Sequence, residues 1–257
     1  MLLPQHFYPE NRTFPLALVT GAAHRLGKVF ALALARQGFG IMLHYHRSQE
    51  MALAAADEIR ALGVPVYPFQ ADLCDEDQIK GLFGTLDGLI KKAEFPLAPL
   101  KVLVNSAAMM EHADASTLSL AEFDETIGLN LRAPFLCSQL AYSRMEPGSL
   151  IVNITDIAAH KTWPGYPAYT VSKAGLEALT RVLARSFAPR VRVNAIAPGL
   201  VLPAEEFDRE RWAQLVKRVP ARRAASTDEL GNALEFLLKN EYITGQTIVV
   251  DGGYSLL

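Results

Sequence analysis

Short apolar segments alternate along the chain with longer segments in which apolar residues recur every three or four positions. The longer segments predict amphipathic helices. Several short segments are apolar at nearly every position, which is typical of parallel strands that helices cover on both faces. Repeated strand–helix alternation therefore predicts one α/β domain with a doubly wound parallel sheet of seven strands. The predicted strands are 16–20, 41–45, 64–70, 102–105, 150–154, 191–196 and 247–250, and the predicted helices are 27–38, 47–62, 76–92, 120–144, 169–186 and 227–239.

Composition and charge narrow the class of protein. The chain has 257 residues, 50% of them hydrophobic, and its 25 Lys and Arg against 27 Asp and Glu give a formal charge of −2. A nucleic-acid partner is not expected, because neutralising phosphates needs a surplus of basic residues. The absence of an apolar run near ~18 residues and of a recognisable signal peptide predicts a cytoplasmic protein without a membrane partner. We expect a single domain over 1–257 with a loose, polar arm at 1–14, and no metal, since no His, Cys or carboxylate cluster has ligand spacing.

The first predicted strand leads into the sequence TGAAHRLG, and a helix follows. Glycines in such a turn allow the backbone to approach a pyrophosphate, whose charge is stabilised at the helix N-terminus. The spacing departs from GxGxxG, because Gly21 and Gly27 are the only glycines of the turn. It is therefore either an ordinary strand–helix turn or a phosphate-binding loop, in which case His24, Arg25 and Leu26 also lie at the cofactor.

The end of the second strand favours a phosphorylated dinucleotide. An NAD-preferring fold places Asp or Glu there to bind the ribose 2′-OH. This chain has His46, Arg47 and Ser48 instead, with no acid before Glu50. Two guanidiniums, those of Arg25 and Arg47, would then flank a 2′-phosphate. This predicts NADPH rather than NADH, unless both arginines are only solvated surface charges.

The ends of the third and fourth strands carry further candidates, since ligands bind at the carboxyl ends of strands in open α/β sheets. Asp72 is predicted to accept a hydrogen bond from the adenine amino group, with Leu73 beside it. Asn105 either binds the cofactor or braces the sheet. Ser106 and Ala107 follow it in the same turn.

A candidate catalytic group follows the fifth strand. Tyr169 and Lys173 stand at i and i+4, on one face of a helix, and Asp156 lies thirteen residues before the tyrosine. A tyrosine, whose ordinary pKa is about 10, is a poor acid–base group at neutral pH. A neighbouring ammonium should lower that pKa towards the working range. The spacing alone is usually structural, but after a nucleotide-binding half it indicates a proton donor.

Together these motifs resemble the short-chain dehydrogenase/reductase family from Leu16 to Asp251-Gly252-Gly253. The matching pieces are TGAAHRLG, ADL, the VNSAA turn, Asn130, the YTVSK block and RVNAIAPG. The resemblance implies a Rossmann-type fold in which Tyr169 protonates the substrate and Asn130 holds a water in the proton relay. It also implies that Lys173 grips the nicotinamide ribose and lowers the pKa of Tyr169.

The resemblance has further implications away from the catalytic group. Pro198, Gly199 and Val201 are expected to border the nicotinamide. The charged segment 200–224 is either a substrate lid or a solvated surface helix. A homo-oligomer, tetramer or dimer, is expected through the helices at 120–144 and 169–186.

Three departures from the common family pattern resemble the pteridine reductase branch, which includes dihydromonapterin and dihydropteridine reductases. Arg25 replaces the middle glycine of the phosphate loop, HYHRS follows the second strand, and Asp156 replaces a serine. A carboxyl suits hydride addition to a C=N bond, where nitrogen must be protonated, whereas a serine hydroxyl suits a ketone oxygen. Alternatively, Asp156 only adjusts the electrostatics of its turn.

One residue disagrees with that branch. Pteridine reductases carry an aromatic residue where this chain has Met110, which packs against a flat ring less specifically. Three hypotheses follow: an NADPH-dependent pteridine reductase with Tyr169 and Asp156 as proton donors, a reductase of a 3-oxoacyl thioester or small ketone, and a catalytically silent nucleotide sensor. The presence of Asn130, Tyr169 and Lys173 together argues against the sensor.

Overall fold

Unbroken apolar segments form the strands of a single seven-stranded sheet. The computed structural model describes residues 13–92, 97–203 and 208–257. All neighbouring strands are parallel, in the order β3-β2-β1-β4-β5-β6-β7. The strands are β1 (Phe14–Val19), β2 (Gly40–Tyr45), β3 (Val66–Gln70), β4 (Leu97–Asn105), β5 (Met145–Ile154), β6 (Val191–Pro198) and β7 (Thr247–Val250).

Helices connect the strands and bury them. Two groups of helices pack together, α1 with α2 and α8, and α3 with α5 and then α6. Every residue of β2 is buried, which is why its sequence is apolar without alternation from Gly40 to Leu43. The helices are α1 (Arg25–Arg36), α2 (Gln49–Ala61), α3 (Glu76–Lys92), α4 (Leu120–Ile127), α5 (Ala133–Tyr142), α6 (Pro167–Phe187), α7 (Arg209–Arg218) and α8 (Thr227–Lys239). The predicted doubly wound fold is confirmed.

The strand order places the candidate site. The chain runs from β1 outwards to β3, then crosses back to β4 on the other side of β1. In such sheets a crevice opens at the carboxyl ends of the strands where the order reverses. The segments that follow β1, β2, β4, β5 and β6 therefore meet at one edge of the sheet.

Several predicted boundaries were wrong. The segment 120–144 is not one helix: a π-helical turn, Gly128–Arg132, separates α4 from α5. Pro134 lies in the first turn of α5 and has no N–H to bond four residues back, to Asn130, which explains the interruption. β4 and β5 begin five residues earlier than predicted.

The predicted arm and lid lie partly outside the described residues. Of the arm 1–14, residues 1–12 lie outside them, and Phe14 belongs to β1 and is fully buried. Of the segment 200–224, residues 204–207 lie outside them, and 209–218 form α7, which has no buried residue. None of the described helices is long and apolar enough to cross a bilayer.

Candidate active site

The turn between β1 and α1 needs both of its glycines. Gly21 has a φ of +64°, and a Cβ there would lie 2.8 Å from the Cα of Ala107. A Cβ on Gly27 would lie 2.0 Å from the carbonyl oxygen of Gly21. The Thr20 hydroxyl accepts hydrogen bonds from the backbone of Ser106 and Ala107, at 2.9 and 3.1 Å. The β1 turn and the turn after β4 are therefore one packed unit.

The N-terminus of α1 suits an anion. Its first residue is preceded by His24, which makes no side-chain capping bond, and its first turn contains no acid. By contrast, α4 and α8 each begin with a capping box, which Ser226 and Glu229 form at α8. The unsatisfied N–H groups and the positive end of the helix dipole fit a pyrophosphate at α1. Leu26 packs against the core beneath them.

Arg25 occupies a backbone conformation that favours glycine. Its φ is +50°, in the left-handed region that residues with a Cβ rarely adopt. Its guanidinium is exposed and donates to the carbonyl oxygens of Pro203 at 3.0 Å and Leu202 at 3.4 Å. The guanidinium thus lies against the segment after β6. This position does not support the predicted pairing with Arg47 around a 2′-phosphate.

The segment after β2 presents polar groups to solvent. His46 and Arg47 are exposed. Ser48 is the N-cap of α2, and its hydroxyl makes no capping bond. A 2′-phosphate at this point would meet an imidazole, a guanidinium, a hydroxyl and a helix N-terminus. The residues present therefore fit the phosphorylated cofactor that the sequence predicts.

The turns after β3 and β4 divide into exposed and buried groups. One carboxylate oxygen of Asp72 accepts a hydrogen bond from the backbone N–H of Cys74 at 2.8 Å. The other carboxylate oxygen lies 4.0 Å from His46 Nε2. Leu73, the next residue, is buried. Asn105 is buried and donates to Asn153 Oδ1 at 2.8 Å. The side chain of Asn105 therefore braces β4 against β5, which is the alternative that the sequence left open.

The predicted catalytic residues meet at the ends of β5 and α6. The Tyr169 hydroxyl donates to Asp156 Oδ2 at 2.8 Å, and the other carboxylate oxygen accepts from the backbone of Ala158. Lys173 is only 3% exposed and donates to the carbonyl oxygen of Ile154 at 2.8 Å. Among the described residues this is its one acceptor, so two ammonium N–H groups remain for a ligand such as a ribose.

Burial is the main cause of the pKa shifts of Asp156, Tyr169 and Lys173. It raises the pKa of the Asp156 carboxyl, and it lowers the pKa of Lys173 to about 8. The pKa of Tyr169 is raised well above its ordinary value, by burial first and then by the Asp156 charge. The lowering of the tyrosine pKa by Lys173, which the family resemblance implies, is not seen in this structure, in which burial and the Asp156 charge raise that pKa. The phenol stays protonated at neutral pH and is available as a donor.

Asn130 joins the helices behind the catalytic group. It is fully buried in the π-helical turn, and its amide exchanges two 2.9 Å hydrogen bonds with the backbone of Met109. The same amide nitrogen donates to Ser172 Oγ at 3.0 Å, and Ser172 Oγ donates to the Tyr169 carbonyl oxygen. The side chain of Asn130 therefore fixes the loop at 109 to α6. The water-holding role stays a prediction.

At the end of β6 the backbone of Gly199 packs closely against Asp251, which follows β7. Gly199 donates its N–H to the Val250 carbonyl oxygen at 3.0 Å, and a Cβ on Gly199 would lie 2.7 Å from the Cα of Asp251. Pro198 ends β6, and Val201 is buried just after it. The chain therefore leaves β6 at a fixed position, and the placement of the nicotinamide against this segment, which the family resemblance implies, stays a prediction.

Aromatic residues that the sequence analysis did not single out lie near the start of α6. Met110 is 42% exposed. The Tyr166 ring meets those of His112 and Trp163 edge-on, with centroids 5.3 and 6.2 Å away. Ala113 donates to the carbonyl oxygen of Gly165 at 2.9 Å, which joins the two loops. The WPGY sequence before Tyr169 was the available signal for this cluster.

The fold and the site define a reductase class, and comparisons agree. The family model described as enoyl-(acyl carrier protein) reductase matches residues 21–255. The chain belongs to the short-chain dehydrogenase/reductase family of oxidoreductases, as predicted. It is 34% identical over 244 residues to 3-oxoacyl-(acyl-carrier-protein) reductase FabG of Staphylococcus aureus strain Mu50, covering 92% of this chain and 96% of the relative.

Solved structures add a second kind of relative. FolM alternative dihydrofolate reductase 1 from Brucella suis, in complex with NADP, has a TM-score of 0.86 and 34% identity, covering 95% of this chain and 96% of the other. The angucycline C-6 ketoreductase LanV, with bound NADP, has a TM-score of 0.88 and 27% identity, covering 96% and 100%. The relatives thus include reductases named for oxoacyl and keto substrates and reductases named for dihydrofolate.

Proposed function

We propose that the chain is an NADPH-dependent reductase of a pteridine, such as a dihydropterin, dihydromonapterin or a dihydrofolate-like compound. The main support for this proposal is the buried 2.8 Å hydrogen bond between the Tyr169 hydroxyl and the Asp156 carboxyl. A second acidic group beside the tyrosine is what C=N reduction needs, since the ring nitrogen must gain a proton.

The cofactor assignment rests on the phosphate-binding groups. The uncapped start of α1, the His46–Arg47–Ser48 segment and the two remaining donors of Lys173 suit pyrophosphate, 2′-phosphate and nicotinamide ribose in turn. The FolM and LanV structures are NADP complexes. When bound, NADPH supplies the hydride. The chain orients the cofactor and excludes water around it.

Proton delivery falls to Asp156 and Tyr169. Because burial raises the pKa of Asp156, a larger fraction of this carboxyl is protonated near neutral pH than of an exposed aspartate. The phenol of Tyr169, which keeps its proton and donates a hydrogen bond to Asp156, is the second proton donor beside the substrate. General acids placed in this way contribute about 10²–10⁴-fold to rate. Activity that depends on protonated Asp156 falls as the pH rises through that raised pKa.

Carbonyl reduction is the second candidate. It is favoured by the FabG relative and by LanV, whose names refer to oxoacyl and keto substrates. Met110 stands where a pterin-stacking aromatic residue is expected, which also favours a carbonyl. The rings of His112, Trp163 and Tyr166, which meet edge-on, supply aromatic groups near the start of α6, and this cluster supports the pteridine assignment.

Two further proposals concern the oligomeric state of the chain and a lid over its substrate. We expect a cytoplasmic homotetramer or dimer built through α5 and α6, whose exposed apolar residues include Phe135, Val171 and Val182. The α7 segment, charged and exposed, is proposed as the substrate lid.

The test is the initial rate of NADPH oxidation. Dihydromonapterin and dihydrobiopterin would be run beside an acetoacetyl thioester and small ketones, with Tyr169→Phe as the inactive control. Turnover on a pterin alone supports the proposal. Turnover on carbonyls alone overturns the substrate assignment and leaves the cofactor and Tyr169 assignments standing, and NADPH binding without any turnover would favour the sensor hypothesis.

A further inference from the structure

His44 connects the turns after β1 and β3 from a buried position in β2. It is 2% exposed. Its Nδ1 accepts the backbone N–H of Gly21 at 3.0 Å, and its Nε2 lies 3.0 Å from the carbonyl oxygen of Ala71. A backbone N–H can only donate and a carbonyl can only accept. The ring is therefore neutral, with its proton on Nε2.

Backbone bonds tie the same three strand ends together. The His44 carbonyl oxygen accepts from the N–H of Ala22 at 2.8 Å, and the Tyr45 carbonyl oxygen accepts from the N–H of Ala71 at 3.1 Å. The N–H of Gly21 points towards β2, and the φ of +64° at Gly21 then turns the chain into the phosphate loop. The imidazole thus fixes the phosphate loop after β1 against the turn after β3, directly beneath the exposed residues that follow β2.

We propose that His44 is a positioning residue for the dinucleotide site. Its Nδ1 acceptor holds Gly21, and through it the phosphate loop, in the conformation that binds the cofactor, without touching the cofactor itself. This inference rests on the proposed NADPH site, but it is independent of whether the substrate is a pteridine or a carbonyl.

The surroundings of the ring support this role. Burial, above all, lowers the pKa of His44 to about 4, and the charge of His46 lowers it too, while the Ala71 carbonyl and Asp72 raise it. The imidazole therefore keeps its acceptor through the neutral range. A charged ring would point a second N–H at the Gly21 N–H and would break that contact.

Two amide substitutions of His44 test the Nδ1 acceptor and the Nε2 donor separately. His44→Asn places an amide oxygen near the position of Nδ1 and retains an acceptor for Gly21. His44→Gln places its amide nitrogen near the position of Nε2 and retains the donor to Ala71, but leaves the Gly21 N–H unpaired. The measurements are the Kd for NADPH by fluorescence, kcat at saturating NADPH, and the free energy of unfolding without cofactor.

We expect His44→Gln to weaken NADPH binding about tenfold or more, the effect of an unpaired buried donor, with kcat at saturation unchanged. We expect His44→Asn to bind NADPH like the wild type even if both variants lose equal stability. Equal affinity in the two variants, whether lost or retained, overturns the proposal. Failure of the wild type to bind NADPH would instead refute the proposed function, which keeps the two failures distinct.

Nitrogen NMR of the wild-type ring keeps the inference testable if neither variant folds. It should show an unprotonated Nδ1 and a protonated Nε2 at neutral pH. A proton on Nδ1, or a ring that titrates near the ordinary histidine pKa, would contradict the proposed contact with Gly21.

Discussion

Two substitutions of Arg25, to glycine and to alanine, separate the strain of its backbone from the function of its guanidinium. We expect Arg25→Gly to be more stable than Arg25→Ala, and we expect both variants to bind NADPH more weakly than the wild type. Arg25 has a φ of +50°, in the left-handed region. A residue with a Cβ pays roughly 1–2 kcal/mol there, whereas glycine adopts it freely. A strained residue kept at a predicted phosphate-binding turn indicates a functional reason for its guanidinium.

The magnitude follows from comparing two variants. Arg25→Gly and Arg25→Ala both remove the hydrogen bonds to Leu202 and Pro203, so those contributions cancel. Glycine relieves the strain but has a more flexible unfolded chain, which offsets about 0.5–1 kcal/mol of the gain. The glycine variant should therefore be more stable than the alanine variant by about 0.5–1 kcal/mol. At roughly 2–4 °C per kcal/mol for a chain of this size, its Tm should be about 1–4 °C higher.

The assay pairs urea unfolding with the Kd values for NADPH and NADH. Both variants should lose about tenfold or more in NADPH affinity, because a charge-assisted hydrogen bond is removed. Equal losses for the two cofactors would place the guanidinium at the pyrophosphate, and a loss for NADPH alone would place it at the 2′-phosphate. An alanine variant at least as stable as the glycine variant refutes the strain argument, and unchanged NADPH affinity in both refutes the functional one.

Three further predictions follow from single side chains. Gly27→Ala places a Cβ 2.0 Å from the Gly21 carbonyl oxygen and should cost about 1–3 kcal/mol of unfolding free energy together with NADPH affinity; an unaltered denaturation midpoint would contradict that close approach. His44 has a folded pKa of about 4 against 6.5 unfolded, so its neutral form contributes stability that is complete above pH 6.5 and lost as the pH falls towards 4. That loss amounts to about 3 kcal/mol, and the pH dependence of unfolding in His44→Asn should lack it; identical pH curves would show that the ring titrates normally. Met110→Ala should raise the KM for a pterin without changing that for NADPH, and an unchanged pterin KM removes Met110 from the ring-packing role.

The sequence predicted the fold well, because parallel strands buried on both faces are apolar throughout. The clearest case is β2, which is apolar from Gly40 to Leu43 and buried on both faces. The predicted helix at 120–144 failed because periodicity continues across the π-helical turn. Pro134 was the local signal that the helix is interrupted there.

The site was predicted where spacing along one element fixes geometry, as for Tyr169 and Lys173 on α6. It was missed where the function of a residue depends on contacts between elements. Thr20 and His44 act on turns that lie 86 and 23 residues away in sequence. The raised pKa of Tyr169 likewise depends on the approach of Asp156, which sequence spacing does not give.

The central claim is that Asp156 beside Tyr169 makes this site a reductase of C=N bonds. It is tested most directly by the ratio of kcat/KM for dihydromonapterin to that for an acetoacetyl thioester, in the wild type and in Asp156→Ser. We predict that the wild type prefers the pterin and that the serine variant loses at least about 100-fold on the pterin while keeping or gaining carbonyl activity. A wild type that prefers the thioester, or a variant that loses both activities equally, would contradict the account.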